Sequence, residues 1–350
     1  MKKAMMAASF LAPAAAALAS LASASASSGD VPAKSEHACT LRFDERGPHE
    51  WTSSYEAWVD ENRNRSVLVR VAVPSGNGPF PIVLMSHGLG GSRDGLTYLS
   101  EQLASWGFIV VTMQHPGSDR SVWESKPRGA RFRALAEAAA DPRVAIDRFL
   151  DVPFVLDELE ARIISGRIRG DIGRTAVVGH SFGAHSVFAA IGRSYKAQGR
   201  VVSFGDARVD SAVALSPPPP LNGMADEELA KLYDEVSVPV LHITGRQDTV
   251  PFEANLDPEL RTRPFRVTSN PDDLLLVFEK ADHNAFAGTK IRLDGTKAPA
   301  HYATVQHDVA TAATVFLRKH LVADACASER TTPSGLRALL RSMVVIEPRE

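Results

Sequence analysis

A serine, an aspartate and a histidine occur in this chain in the order and the settings that acyl-transfer chemistry uses. Gly179-His180-Ser181-Phe182-Gly183 follows an apolar, strand-like run, Thr175-Ala176-Val177-Val178, and precedes a helical one from Ala184 to Ile191. In a Gly-x-Ser-x-Gly elbow the serine sits on a sharp strand-to-helix turn, and the flanking glycines let neighbouring backbone approach without a Cβ clash. Ser181 would then stand exposed as a nucleophile. A Gly/Ser turn that merely fits five residues is the competing explanation; the strand before and the helix after argue against it.

Such a serine needs an acid and a base, which α/β-hydrolase chemistry supplies in the chain order Ser, Asp or Glu, His. Val238-Pro239-Val240-Leu241-His242-Ile243-Thr244 reads as a buried strand running out into Gly245-Arg246-Gln247-Asp248. Asp248 is therefore expected just past a strand's carboxyl end, the edge where ligands gather in open parallel sheets. The next apolar run, Asp273 to Glu279, leads into Lys280-Ala281-Asp282-His283-Asn284 and places His283, the candidate base, on the corresponding loop. Asp282 adjoins His283 in sequence, so the two side chains are poorly placed to meet in the Asp-to-Nδ1 geometry. Asp206 and Asp210 lie one strand too early and read as turn residues. His301 and His307 border the last helical segment, and His320 closes it, where a cation suits the helix dipole. His87 and His180 belong to motifs in a positional capacity; His115 and His242 read as polar groups satisfied at strand ends.

An oxyanion also needs donors, and two backbone N–H groups are candidates: that of Phe182, directly after the nucleophile, and that of Leu89. Leu89 lies in His87-Gly88-Leu89-Gly90-Gly91-Ser92, a glycine-rich turn after the strand Pro81–Ser86. Such a turn also suits a phosphate. The Lys-Ser/Thr of a P-loop and a Gly-x-Gly-x-x-Gly with a following acid are both missing from it.

The elements that must position these groups alternate. Strands are expected near 66–73, 81–86, 108–114, 174–179, 211–216, 239–244 and 273–279, and helices near 95–106, 142–164, 183–194, 224–235 and 302–321. That alternation predicts an α/β fold, a mostly parallel sheet with helices on both faces and no large lid domain. Two loops on the same edge are expected to shape a pocket, Gln114 to Trp123 and Ser216 to Met224. They make Trp123 and Met224 the candidate substrate-binding residues.

Three stretches together resemble the plasma-type platelet-activating-factor acetylhydrolases and their bacterial relatives, often labelled predicted dienelactone hydrolases: Ser86-His87-Gly88-Leu89-Gly90, Leu103-Ala104-Ser105-Trp106-Gly107-Phe108-Ile109-Val110 and Gly179-His180-Ser181-Phe182-Gly183. Trp58-Val59-Asp60, Arg63-Asn64-Arg65 and Val67 to Pro74 resemble the opening strands of the bacterial members. The likeness runs over roughly residues 55 to 320 and thins between 220 and 300. It implies an α/β-hydrolase fold with Ser181 as nucleophile, Asp248 and His283 as partners, and Leu89 and Phe182 as oxyanion donors. Dienelactone hydrolases proper use a cysteine nucleophile, so the label describes the substrate of this serine-bearing chain poorly.

Composition fits such a chain. At 350 residues, 44% hydrophobic, it can bury a sizeable core, and a net charge of −2 gives no sign of a nucleic-acid partner. No His-Glu-x-x-His or paired Cys/His spacing suggests a metal, and no cofactor is expected. Met1-Lys2-Lys3, the apolar Ala4 to Leu21 and the small residues Ala22-Ser23-Ala24-Ser25-Ala26 read as a secretory signal peptide over 1–26, with a secreted or periplasmic destination and no stable membrane span. An N-terminal extension over 27–54, a catalytic domain over 55–322 and a C-terminal tail over 323–350 complete the expected organisation. The two cysteines, Cys39 and Cys326, lie beyond either end of the presumed core and could pair in an oxidising compartment. The expected activity is serine ester hydrolysis of a small-molecule or lipid ester. A polyester or cutin hydrolase is the alternative, and a catalytically silent hydrolase-fold binding protein is a reading from a different class.

Overall fold

The computed structural model describes residues 39–349 apart from 198, 221–222, 251–256 and 290–294; the signal peptide expected over 1–26 lies outside the described residues. Nine strands form one sheet: β1 Trp51–Asp60, β2 Arg65–Pro74, β3 Phe80–Ser86, β4 Ile109–Gln114, β5 Gly170–His180, β8 Val209–Leu215, β9 Val240–Gln247, β10 Leu274–Asp282 and β11 Val344–Pro348. Two short strands, β6 Tyr195–Ala197 and β7 Arg200–Val202, make a separate hairpin. The sheet order is β1-β2-β4-β3-β5-β8-β9-β10-β11. From β4 to β10 all neighbours are parallel, while β1, β2 and β11 join antiparallel at the margins. This is an α/β-hydrolase fold. The crossovers leave β3, β5, β8, β9 and β10 ending on one edge, so the loops that follow them converge.

The central strands are apolar on both faces, as parallel strands between two helical layers must be. Alternate residues divide between two cores. Val83, Met85, Val110, Ala176 and Val178 point into a core closed by α1 (Thr97–Ser105) and α8 (Tyr302–Val322). Ile82, Leu84, Ile109 and Val177 point into a core closed by α4 (Pro142–Ile164), α5 (Phe182–Ala190) and α6 (Asp226–Tyr233). In α4 the apolar residues Val152, Val155, Leu156 and Leu159 recur at helical spacing and are fully buried. The helix starts where Asp141 caps it, accepting the N–H of Arg143 at 2.9 Å, with Pro142 in the first turn.

Five helices lie outside the alternation read from the sequence. Helices α2 (Ser121–Glu124) and α3 (Arg128–Ala140) follow β4, and α7 (Arg263–Val267) precedes β10. The stretch beyond residue 322 is built into the body of the fold. There α9 (Ala325–Arg330) and α10 (Pro333–Leu339) lead to β11, which pairs with β10 from Leu274↔Pro348 to Phe278↔Val344. Cys326 on α9 is disulfide-bonded to Cys39, 287 positions earlier, with Cα atoms 5.1 Å apart. Among the described residues no helix is long and apolar enough to cross a membrane.

Candidate active site

Ser181 lies between β5 and α5 with φ 54° and ψ −119°, a conformation that costs a non-glycine residue roughly 1–3 kcal/mol. The surrounding residues enforce it. A Cβ on Gly179 would collide with the Gly183 carbonyl, and one on Gly183 with the Ser86 carbonyl at the end of β3. Only glycine at both positions lets α5 leave the sheet this steeply. The Ser181 N–H donates to the Leu215 carbonyl at 2.8 Å, which ties the elbow to the end of β8.

The side chains expected to work together do meet. Ser181 Oγ lies 2.7 Å from His283 Nε2, and His283 Nδ1 lies 2.7 Å from Asp248 Oδ1. A proton on Nδ1 donated to Asp248 leaves Nε2 as the acceptor for the serine hydroxyl. Asp248 is fully buried. Burial opposes its charge, but His283 facing it, the guanidinium of Arg261 at 3.0 Å and the Ser216 hydroxyl outweigh that, and its carboxyl is held well below the usual range. The Thr244 hydroxyl also donates to Oδ2, at 2.8 Å. Arg261, in a 3-10 turn over Pro258–Thr262, further donates to the backbone carbonyls of Asp248 and Pro217.

Asp282, next to His283 in sequence, is the last residue of β10. In the structure its Oδ1 accepts the N–H groups of Asn284 and Ala285, capping the 3-10 turn His283–Phe286, and the Tyr302 hydroxyl donates to the same carboxylate. Asp282 therefore fixes the segment that presents His283. His180 Nε2 donates to the His283 carbonyl at 3.0 Å, and burial followed by the neighbouring His283 lowers its pKa to about 3, so it stays neutral.

The two candidate oxyanion donors have the required freedom. Among the described residues neither the Leu89 nor the Phe182 N–H donates to a protein acceptor. Around Leu89 the loop is pinned: Gly90 N–H donates to the Ser118 carbonyl at 2.7 Å, and Arg120 N–H to the Gly91 carbonyl at 2.8 Å. Leu89, Ser181 and His283 open on one cavity of about 750 Å³. Trp123 lines it, its indole N–H donating to the Gly90 carbonyl at 2.8 Å, and α3 contributes Arg131, Phe132 and Leu135. Met224 is not among the described lining; it packs partly buried against the core under α6, and its carbonyl accepts from Arg263.

The remaining polar residues weighed in the sequence have structural partners. Asp206 pairs with Arg208, Asp210 accepts the Thr175 N–H at 2.9 Å, and His307 Nε2 donates to the Asp44 carbonyl at 2.7 Å. His115 is bonded to Ser86 and Asp151. His242 and His320 are the exceptions: His242 is buried with neither ring nitrogen bonded, and the buried Nε2 of His320 has no partner, burial lowering its pKa to about 4 so that it is neutral at the end of α8 and not the cation expected there. Among the described residues no cluster of three or more His, Cys, Asp or Glu is placed to hold a metal ion.

Known proteins resemble this chain over part of its length. The family model described as platelet-activating factor acetylhydrolase, isoform II, matches residues 64–127, from β2 through the Leu89 turn to the helix carrying Trp123. A protein of Schizosaccharomyces pombe (strain 972 / ATCC 24843) named "Putative phospholipase A2" is 25% identical over 163 residues, 35% of this chain and 37% of that protein. The chain thus matches little more than a third of that relative's length. Both names denote ester hydrolases that act on lipids.

Proposed function

We propose that the protein is a serine ester hydrolase that works through an acyl-enzyme, with Ser181 as nucleophile, His283 as base and Asp248 as orienting acid. The unbroken line of hydrogen bonds from Asp248 through His283 to a strained Ser181 carries this reading. Ser181 Oγ attacks the ester carbonyl as its proton passes to His283 Nε2, and Asp248 stabilises the imidazolium that results. The N–H groups of Leu89 and Phe182 receive the developing oxyanion. His283 then returns the proton to the departing alkoxide. The same steps with water as nucleophile release the acid and restore Ser181.

The substrate class follows from the cavity and the likeness to lipid ester hydrolases. A pocket of about 750 Å³ with Trp123, Phe132 and Leu135 among its lining suits a lipid or other carboxylic ester carrying a short acyl group. The apolar leader over 1–26 and the Cys39–Cys326 disulfide support a secreted or periplasmic location for the mature chain. Purified protein is to be assayed on p-nitrophenyl esters of rising chain length beside an oxidised phospholipid and a polyester film. Turnover that is highest on short acyl esters and on the phospholipid supports the proposal. Turnover of the film alone would reassign the protein to polymer hydrolysis, and inertness on all three would remove the enzymatic reading.

A further inference from the structure

Among the described residues Arg148 is the largest fully buried side chain, at 0% exposure, and none of the proposed steps uses it. It projects from α4 into the space behind the site, where its guanidinium makes four hydrogen bonds. Nη2 donates to the Ser86 hydroxyl at 2.9 Å and to the His87 carbonyl; Nη1 donates to the Ser118 hydroxyl at 2.8 Å and Nε to the Ser186 hydroxyl at 3.4 Å. Its central carbon, Cζ, also lies 4.9 Å from the centre of the Phe182 ring. Among the described residues every group bonded to it is a neutral oxygen; no carboxylate reaches it at ion-pair distance. Burial weighs against such a charge and lowers its pKa to about 9, with Asp151 and Asp119 only partly offsetting this from a distance.

A buried cation without a directly bonded carboxylate is a costly way to hold a core together, because an apolar side chain of similar volume avoids the desolvation. The positions of the four acceptors give the arrangement a purpose. His87 opens the turn that carries Leu89, and Ser118 belongs to the loop whose carbonyl pins the Gly90 N–H. Ser186 and Phe182 belong to α5, and the Phe182 N–H is the second donor. One rigid fork thus joins the β3 turn, the β4 loop and the start of α5, the three pieces that place both oxyanion donors. Asp151, one turn further along α4, holds the other side of the frame. It accepts from Arg63, Arg65 and His115, and the His115 backbone N–H in turn donates to His87 Nε2 at 3.1 Å.

We propose that Arg148 is the positioning residue of the oxyanion hole, setting the Leu89 and Phe182 N–H groups against each other and placing a positive charge behind them. This rests on the ester-hydrolase reading above. A misplaced donor pair weakens binding of the tetrahedral transition state and leaves ground-state binding alone, so the loss belongs in kcat.

The test compares wild type, Arg148→Met and Arg148→Lys on a short p-nitrophenyl ester. Rates are scaled to active sites titrated with a fluorophosphonate, and the inhibition constant of a trifluoromethyl ketone is measured on each. Removing one oxyanion donor costs on the order of 10²–10³ in kcat, so loosening both by way of their frame is expected to cost Arg148→Met roughly tenfold to a hundredfold. KM should stay within about threefold, and the ketone should weaken by the same factor as kcat/KM. Arg148→Lys keeps the charge but cannot fork to four acceptors, and should fall between the two. If Arg148→Met does not fold, Arg148→Lys is read in the same way. Per-site kcat within twofold of wild type, a loss confined to KM, or a fall in kcat with unchanged ketone affinity overturns the proposal. An inert wild type that takes no label would defeat the ester-hydrolase reading itself, whereas an active wild type with undiminished variants defeats only the role of Arg148.

Discussion

Asp248 follows the end of β9 and Asp282 is the last residue of β10, both bear on His283, and replacing either with asparagine removes one negative charge from the same region. Their consequences should differ by orders of magnitude. Oδ2 of Asp248 accepts from the Ser216 and Thr244 hydroxyls, so in Asp248→Asn the carbonyl oxygen of the amide is drawn to that side and its NH₂ turns toward His283 Nδ1. Two donors cannot face one another, so the imidazole must shift its proton to Nε2, where it can no longer accept from Ser181. The wrong tautomer costs about 10⁴ in kcat in serine triads, equivalent to about 5.5 kcal/mol of barrier. Asp282 acts through the backbone, and an asparagine oxygen can still accept the N–H groups of Asn284 and Ala285. Asp282→Asn should therefore cost roughly 1 kcal/mol through the weaker cap and the altered Tyr302 bond, or less than about tenfold in kcat. Steady-state kinetics on a soluble ester at pH 7.5, with circular dichroism to verify folding, measures both. A crippled Asp282→Asn beside a near-normal Asp248→Asn would mean that the acid has been misassigned.

Three further outcomes are expected. Burial lowers the pKa of His115 to about 4 and of His180 and His242 to about 3, so below the ordinary histidine value the unfolded chain takes up protons that the native state refuses, and stability is lost as pH falls from about 6.5 toward 4. Each contributes about 2 kcal/mol of loss between pH 7 and 5, and Asp273, raised by burial to about 6, works in the opposite direction and offsets part of it. His87, His185 and His320, also lowered by burial, act in the same sense, so urea unfolding should show a clear net drop from pH 7 to 5, smaller in His242→Leu; a flat profile would contradict the buried neutral state. Removing the Cys39–Cys326 bond by paired serine substitutions frees a 287-residue span. It should lower the unfolding free energy by up to about 5 kcal/mol, with kcat unchanged because neither cysteine lines the cavity; equal unfolding midpoints with and without the bond would refute this. Trp123→Ala removes a cavity wall and the bond to the Gly90 carbonyl, so it should raise KM for short esters several-fold while leaving fluorophosphonate labelling intact, and an unchanged KM would place the acyl group elsewhere.

The residues of the proposed triad were legible in the sequence because their constraints are local. Gly179 and Gly183 announce the elbow, and Asp248 and His283 each follow an apolar run that can only be a buried strand. The groups that support them carry no such signal. Ser216, Thr244 and Arg261 converge on Asp248 only because the ends of β8 and β9 and the Pro258–Thr262 turn come together in space. Ser216 has φ 47°, but a serine before four prolines reads in sequence as an ordinary loop start. Arg148 sits on a well-predicted helix, yet an arginine there reads as surface until its burial is seen. Strand β11 was missed for another reason: Val344-Val345-Ile346 is three residues long in its apolar part and is fixed by pairing with β10, a contact no local pattern encodes. Trp123 and Met224 shared a plausible loop position, and only the packing of α2 and α6 separates the one lining the cavity from the one against the core.

Labelling with a fluorophosphonate probe, followed by mass spectrometry of the modified peptide, tests the central claim most directly. The account predicts a single adduct on Ser181 in wild type, formed in parallel with loss of ester turnover. In Ser181→Ala it predicts no adduct and at most the residual catalysis that binding and the oxyanion donors supply. An adduct on a different serine, or full turnover in Ser181→Ala, would contradict it.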